Sequence, residues 1–191
     1  MSLLPLGLLS QGGGAGVING IEQIATVLGT GSSGTITFSS IPATYKHLQI
    51  RFTARLSGNS TVTRPIDMTY NGQGSSYYMH YMMSDGGSML SDNQGTMTVA
   101  WSPVLTGTSG SFVSCIVDIL DYADSTKFGV MRSFMGYQNG SSSGSYPQGI
   151  SSIGLLSGLR TTATAITQLQ FVSGSGNFES GTRFTLYGIR G

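Results

Sequence analysis

The chain has 191 residues, of which 9% are charged, and its formal net charge at pH 7 is +1. Its nine lysines and arginines are scattered singly, so no basic run is present to neutralise several phosphates, which excludes nucleic acid as an expected partner. The single cysteine, Cys115, excludes an internal disulfide, and its apolar neighbours predict a buried side chain without a reactive role. Gly, Ser and Thr are abundant, which is typical of short β-strands joined by turns.

The chain opens with an apolar run, MSLLPLGLL, followed by a glycine cluster. No basic residue precedes the run, which argues against a signal peptide, and the run is shorter than the ~20 residues that span a bilayer. Pro5 and Gly7 disfavour a helix, so residues 1–19 are expected to form an extended arm and a glycine-rich linker. Such an arm is either held by a partner subunit or left as a free tail. The proposed anchor residues of the arm are Leu3, Leu4, Pro5, Leu6, Leu8 and Leu9.

Residues 20–191 are expected to form one domain of short segments that alternate apolar and polar residues. The clearest is HLQIRFTAR, where every second residue from Leu48 to Ala54 is apolar, as in a half-buried antiparallel strand. Further strands are predicted in TITFSS, PIDMTY, TMTVAW, FVSCIVDIL, AITQLQFV and RFTLYGIR. FVSCIVDIL is apolar on both faces, so we expect a central strand that is covered on each side. At residues 21–27 a short helix is possible, but the β-branched residues favour a strand.

Turn signals separate these segments: Asn71-Gly72, Asp85-Gly86-Gly87, Asn139-Gly140 and the run from Ser141 to Ser145. Eight or more short strands at this spacing predict an all-β fold, an antiparallel β-sandwich that is jelly-roll-like, with the N-terminal arm extending from it. In the last segment, RFTLYGIR, we expect Phe184, Leu186 and Ile189 to face the core.

Two motifs match chemical signatures by letter only. GTGSSG, residues 29–34, fits the dinucleotide fingerprint, but a predicted strand follows where the fingerprint needs a helix, so we interpret it as a loop. GSSSG, residues 140–144, fits the nucleophile elbow without the strand and helix that must flank it. His47 and His80 lie in different predicted strands, without an orienting acid or a metal-ligand spacing. We therefore predict no enzymatic activity and no cofactor.

The segment DILDYAD contains three of the eight acidic residues, Asp118, Asp121 and Asp124. The interpretation stays open, because carboxylates at a strand end can hold a calcium ion, form a structural turn or pair with an arginine. Glycan hydrolysis needs only two carboxylates, but the spacing singles out no pair.

The segment SSYYMHYMMSD gathers tyrosines, methionines and a histidine, which supply a large contact area at modest entropic cost. Alternation places Tyr77 and Tyr81 on one face of a strand, and Tyr78 and His80 on the other. The cluster is either packing or a subunit interface, since these are ordinary sheet residues. Alternatively, all four form an exposed surface for a sugar or a partner.

Three segments, TFSSIPATYKHLQIRFTAR, IVDILDYADSTKFG and NFESGTRFTLYGIRG, together resemble a family of small virion proteins of tailed bacteriophages, most strongly those of marine and cyanobacterial phages. Members of that family begin with a PLGLL-type leader and a glycine cluster and end on an aromatic-LYGI strand. The resemblance covers nearly the whole chain and brings no catalytic residues. It implies a structural protein of the virion, of the kind labelled tail-fibre or decoration protein, that is assembled in the bacterial cytoplasm.

The leading hypothesis is a non-enzymatic subunit on the exterior of a phage particle, a homotrimer docked on other virion proteins through its N-terminal arm. Burial of the arm's leucines would stabilise that contact. The favoured role is capsid decoration, as a cement or head-fibre protein. The alternative is a tail-fibre or receptor-binding module that contacts host surface glycan through Tyr77 to Tyr81. A glycan-cleaving spike is disfavoured by the scarcity of acids, and no membrane insertion is expected.

Overall fold

The computed structural model describes residues 20–58, 63–84, 88–104, 110–138 and 151–191. Within these ranges the regular structure is β-strand, so the all-β prediction is confirmed. No helix long and apolar enough to cross a membrane occurs in the ranges given above. The arm predicted at residues 1–19, its six anchor residues, the turns at 85–87 and 139–145 and the GSSSG motif lie outside the described residues.

The strands of the described ranges form two antiparallel sheets that pack as a sandwich. In chain order the strands are β1 (Ile21–Leu28), β2 (Thr35–Phe38), β3 (His47–Ala54), β4 (Arg64–Tyr70), β5 (Tyr77–Ser84), β6 (Met89–Gln94), β7 (Thr98–Ser102), β8 (Val113–Leu120), β9 (Gly129–Gln138), β10 (Ser151–Arg160), β11 (Leu169–Ser173) and β12 (Arg183–Ile189). The larger sheet has the order β1-β12-β3-β8-β9-β10-β5-β6, and the smaller sheet has the order β2-β11-β4-β7.

The strand order is jelly-roll-like, as predicted. From β2 to β5 the chain alternates between the smaller and the larger sheet. The next three strands alternate in the same way, with β6 and β8 in the larger sheet and β7 in the smaller one. The hairpin β9–β10 is inserted into the larger sheet between β8 and β5, while β12 and β1 extend that sheet beyond β3. Strand β1 occupies the segment for which a helix and a strand were both considered.

An aromatic cluster joins the two sheets at the centre of the core. Phe52 of β3 stacks on Phe184 of β12 with ring centroids 4.3 Å apart. Phe171 of β11, in the smaller sheet, lies 4.9 Å from Phe184 and 6.1 Å from Phe52. The alternation predicted for β3 is confirmed, because every second residue from Leu48 to Ala54 is buried.

Two predictions about side-chain direction are wrong. Ile189 pairs with His47 in an unbroken register, so it points away from the face that carries Phe184. Strand β8 is central, as expected, but only one of its faces is covered, and Ile116 and Leu120 on the other face are 40% and 38% exposed. The smaller sheet packs against one side of the larger sheet, and the opposite side of β8 faces solvent.

Candidate functional site

The larger sheet has a solvent-facing side, which we call the outer face. Its residues come from every second position of the strands, and the antiparallel register aligns them in rows across the sheet. One row joins Ile116 of β8, Phe134 of β9, Leu155 of β10 and Met82 of β5. In a neighbouring row, Ile153 of β10 and Met89 of β6 are the large apolar residues, and Ser84 of β5 lies between them.

Six side chains of these rows form one exposed surface, which we call the apolar patch: Met82, Met89, Ile116, Phe134, Ile153 and Leu155. Each is between 40% and 65% exposed. At roughly 200 Å² for a fully exposed side chain of this size, the patch presents on the order of 600 Å². That area lies at the upper end of the ~300–600 Å² of the largest patch on a typical monomer. The patch is therefore a candidate interaction surface.

Phe134 lies at the centre of the patch, beside three shallow depressions. They have volumes of about 500, 660 and 170 Å³, and Phe134 lines each of them. Phe134 is 50% exposed. A projecting aromatic ring beside depressions gives the surface the relief that a complementary protein surface can interlock with.

A row of polar residues crosses the outer face beside the patch: Gln49, Asp118, Arg132, Ser157, His80 and Asn93. The carboxylate of Asp118 accepts hydrogen bonds from Gln49 Nε2 at 2.8 Å and from Arg132 Nε at 3.3 Å. Because the Arg132 side chain is 70% exposed, this pair contributes no more than about 1 kcal/mol to stability. The polar row bounds the apolar patch on one side, as the rim of an interface does.

The structure separates the four residues of the predicted tyrosine surface. Tyr77 is 4% exposed, and its hydroxyl forms two hydrogen bonds of 2.8 Å with the backbone. Tyr81 is partly buried against Trp101, with ring centroids 5.0 Å apart. Tyr78 and His80 lie on the outer face, where Tyr78 is 62% exposed. Only Tyr78 and His80 are thus placed to contact a partner directly.

The three acids considered for calcium each have another partner. Asp118 belongs to the polar row, and the carboxylate of Asp121 meets two lysines at 2.8 and 2.7 Å. Asp124 accepts hydrogen bonds from the backbone nitrogen and the hydroxyl of Thr126, at 2.8 and 2.6 Å. Among the described residues, no three His, Cys, Asp or Glu side chains gather as metal ligands. The geometry fits the interpretation as a structural turn.

Asp121→Asn is expected to lower the free energy of unfolding at neutral pH. Hydrogen bonds from Lys127 and Lys46 lower the pKa of Asp121 to about 2. The charged form therefore stabilises the fold above the unfolded-state pKa of about 3.9, and this contribution is lost as the pH falls through the folded-state value. Asparagine tolerates the left-handed backbone of this position, where φ is +49°. Urea unfolding at a series of pH values measures the difference.

The difference between Asp121→Asn and the wild type should be largest above pH ~4 and disappear near pH 2. Asp92→Asn is the control, because Asp92 forms no ion pair with any described residue. A difference that stays constant down to pH 2 would show that the lysine contacts do not depend on the charge of Asp121.

The other residues weighed for chemistry lie apart. Nδ1 of His47 accepts a hydrogen bond from the backbone nitrogen of Asp121 at 3.0 Å. Three strands separate His47 on β3 from His80 on β5, so the two histidines do not form a site. Cys115 is buried, as predicted, and burial raises the pKa of its thiol to about 12. Residues 29–34 form a loop before strand β2, which agrees with their interpretation from the sequence.

Phe134, Ile153 and Leu155 are the surface residues that sequence reasoning missed. For Ile153 and Leu155 a sequence signal is present in SSIGLLSGLR, where large apolar residues occur between glycines and serines. In this strand the outward-facing positions are the large apolar ones, the reverse of an ordinary amphipathic strand. Comparison with protein-family models and with curated protein sequences finds no match for this chain.

Proposed function

We propose that this protein is a non-enzymatic structural subunit of a bacteriophage virion, on the exterior of the particle. The observation that carries the proposal is the apolar patch on the outer face. Covering about 600 Å² of apolar surface is worth on the order of 15 kcal/mol before the costs of association, and patches of this size are often functional. A chain built to be one part of an assembly explains this surface.

The resemblance of three segments to small phage virion proteins supports the choice of assembly. Within that family we favour a capsid decoration protein, of the cement or head-fibre type, that forms a homo-oligomer. Its N-terminal arm would dock on neighbouring virion proteins, and many copies on one particle would add avidity to each weak contact. The single cysteine, a free thiol buried in the core, suits a protein that folds in a reducing cytoplasm.

Replacing the arm's leucines by serine in the full chain is expected to abolish incorporation into particles. The change removes most of the apolar area that the arm can bury, at ~25 cal/mol per Å². Phage lacking the gene is complemented with the variant, and immunoblots of purified particles measure incorporation. The substituted residues are Leu3, Leu4, Leu6, Leu8 and Leu9.

Replacing the same five leucines by methionine is the control, because it keeps the arm apolar at similar volume, and we expect normal incorporation. Normal incorporation of the serine variant would contradict docking through the arm. Absence of the wild-type chain from purified particles would contradict the proposed function as a whole.

Host glycan recognition is the second candidate function, and the exposure of Tyr78 beside His80 on the outer face favours it. Aromatic rings that stand out from a sheet provide flat apolar surfaces for a binding partner. Particles from the phage that lacks the gene distinguish the two functions. Particles that lack the protein but still adsorb normally to host cells would contradict receptor binding and leave decoration in place.

A further inference from the structure

We infer that the outer face of one copy of this chain is covered by the outer face of a second copy. The inference rests on the proposed function, because it names the partner at the apolar patch of a structural subunit. Area, charge and relief of the surface each support it.

The area matches what a stable contact between two proteins needs. Beyond the polar row, three more residues of the outer face are exposed, Tyr78, Leu120 and Val130. Together with the apolar patch they present on the order of 900 Å² of surface at roughly 200 Å² per fully exposed side chain. A standard interface buries about 800 Å² on each partner.

The shape of the patch favours a sheet as its partner over an extended segment. The patch extends from β8 to β6, which are five neighbouring strands and cover a width of about 19 Å at 4.8 Å per strand spacing. A single extended segment, such as the arm's LLPLGLL, is one strand spacing wide, about 5 Å. It would leave most of the patch in water, whereas a second outer face spans the whole width.

The charge of the surface permits contact with a copy of itself. Between β8 and β6, the charged residues of the described outer face are Asp118 and Arg132. They form an ion pair with each other, so this part of the face has no net charge. Two copies therefore meet without the like-charge repulsion that discourages self-association of most protein surfaces.

The outer face has both a protruding side chain and depressions, so two identical faces can fit into each other. Phe134 stands beside depressions of about 500 and 660 Å³, each larger than a phenylalanine side chain. In a contact between identical faces, the ring of one copy can enter a depression of the other, and the same holds in return. Phe134 would then be the buried aromatic anchor at the centre of the interface.

Phe134→Asp in the full chain is expected to weaken self-association by at least about 100-fold, the effect of losing an interface hot spot. Sedimentation equilibrium over a wide concentration range measures the mass against the monomer's 20.0 kDa. Phe128→Asp is the matched control, because Phe128 is also 50% exposed but lies outside the patch, before β9. We expect association of the control to match the wild type, and circular dichroism to show both variants folded.

A wild-type chain that remains monomeric at every concentration would overturn the inference. So would association that resists Phe134→Asp, or that Phe128→Asp weakens equally, because the copies would then meet elsewhere. Dissociation of the leucine-to-serine arm variant to the same extent would assign the patch to a neighbour's arm and also overturn it. None of these results affects the proposed function, which fails only if the chain is absent from particles.

Discussion

Phe184→Ala lowers the free energy of unfolding by about 3–5 kcal/mol, the cost of removing a large aromatic side chain from a packed core. Phe184 is completely buried. Its ring lies 4.3 Å from Phe52, 4.9 Å from Phe171 and 5.4 Å from Phe178, measured between ring centroids. Because these partners come from both sheets and from the segment before β12, the cavity cannot close by the movement of one strand.

Phe128→Ala is the control for this loss, because Phe128 is half-exposed and lies outside the core cluster. Its free energy of unfolding should change by no more than about 0.5 kcal/mol. Guanidinium unfolding measures both variants. If the two losses are equal, the aromatic cluster does not hold the sheets together, and stability comes from elsewhere in the sandwich.

The core strands could be predicted from the sequence because their information is local. In β3, residues from Leu48 to Ala54 alternate with polar residues, and the structure buries the apolar half. The same holds for Ile36 and Phe38 in β2. When one face of a strand is exposed to solvent and the other is buried, polar and apolar residues alternate along the strand. Such a strand can be recognised without knowing its neighbours.

Strand β10 could not be predicted in this way, because its alternation is reversed. Gly154 and Gly158 face inward, and a Cβ there would come within 2.9 Å of Met135 and 2.8 Å of Met131. The methionines of β9 fill the core positions that β10 leaves empty. Ile153 points outward instead, so the segment resembles a glycine-rich loop unless β9 is known to lie beside it.

The apolar patch could not be predicted from the sequence for a related reason. It combines residues of β5, β6, β8, β9 and β10, and β5 precedes its neighbour β10 by the length of several strands. Only the register places Met82 next to Leu155. The prediction that β8 is covered on both faces is wrong, but its basis is correct, because the outward-facing Ile116 is apolar. Under the inference above, its cover is a second copy of the chain.

Gly176→Ala is expected to lower the free energy of unfolding by about 3 kcal/mol, through left-handed strain and overpacking together. Gly176 has a φ of +66°. A Cβ at this position would lie 2.2 Å from the backbone oxygen of Ser57. The segment around Ser57 cannot withdraw easily, because its backbone nitrogen donates to Asn177 O at 2.8 Å and its Oγ accepts from Asn177 N at 2.7 Å.

Gly31→Ala separates the two causes, because Gly31 has a φ of +79° but nothing within 4 Å of its Cβ position. This control keeps the backbone strain without the clash and should lose only about 1 kcal/mol. Chemical unfolding of both variants gives the comparison. Equal losses would mean that the loop at Ser57 moves freely, and that the hydrogen bonds between Ser57 and Asn177 do not fix it. A larger loss for Gly176→Ala would show that the hydrogen bonds between Ser57 and Asn177 hold this loop in place.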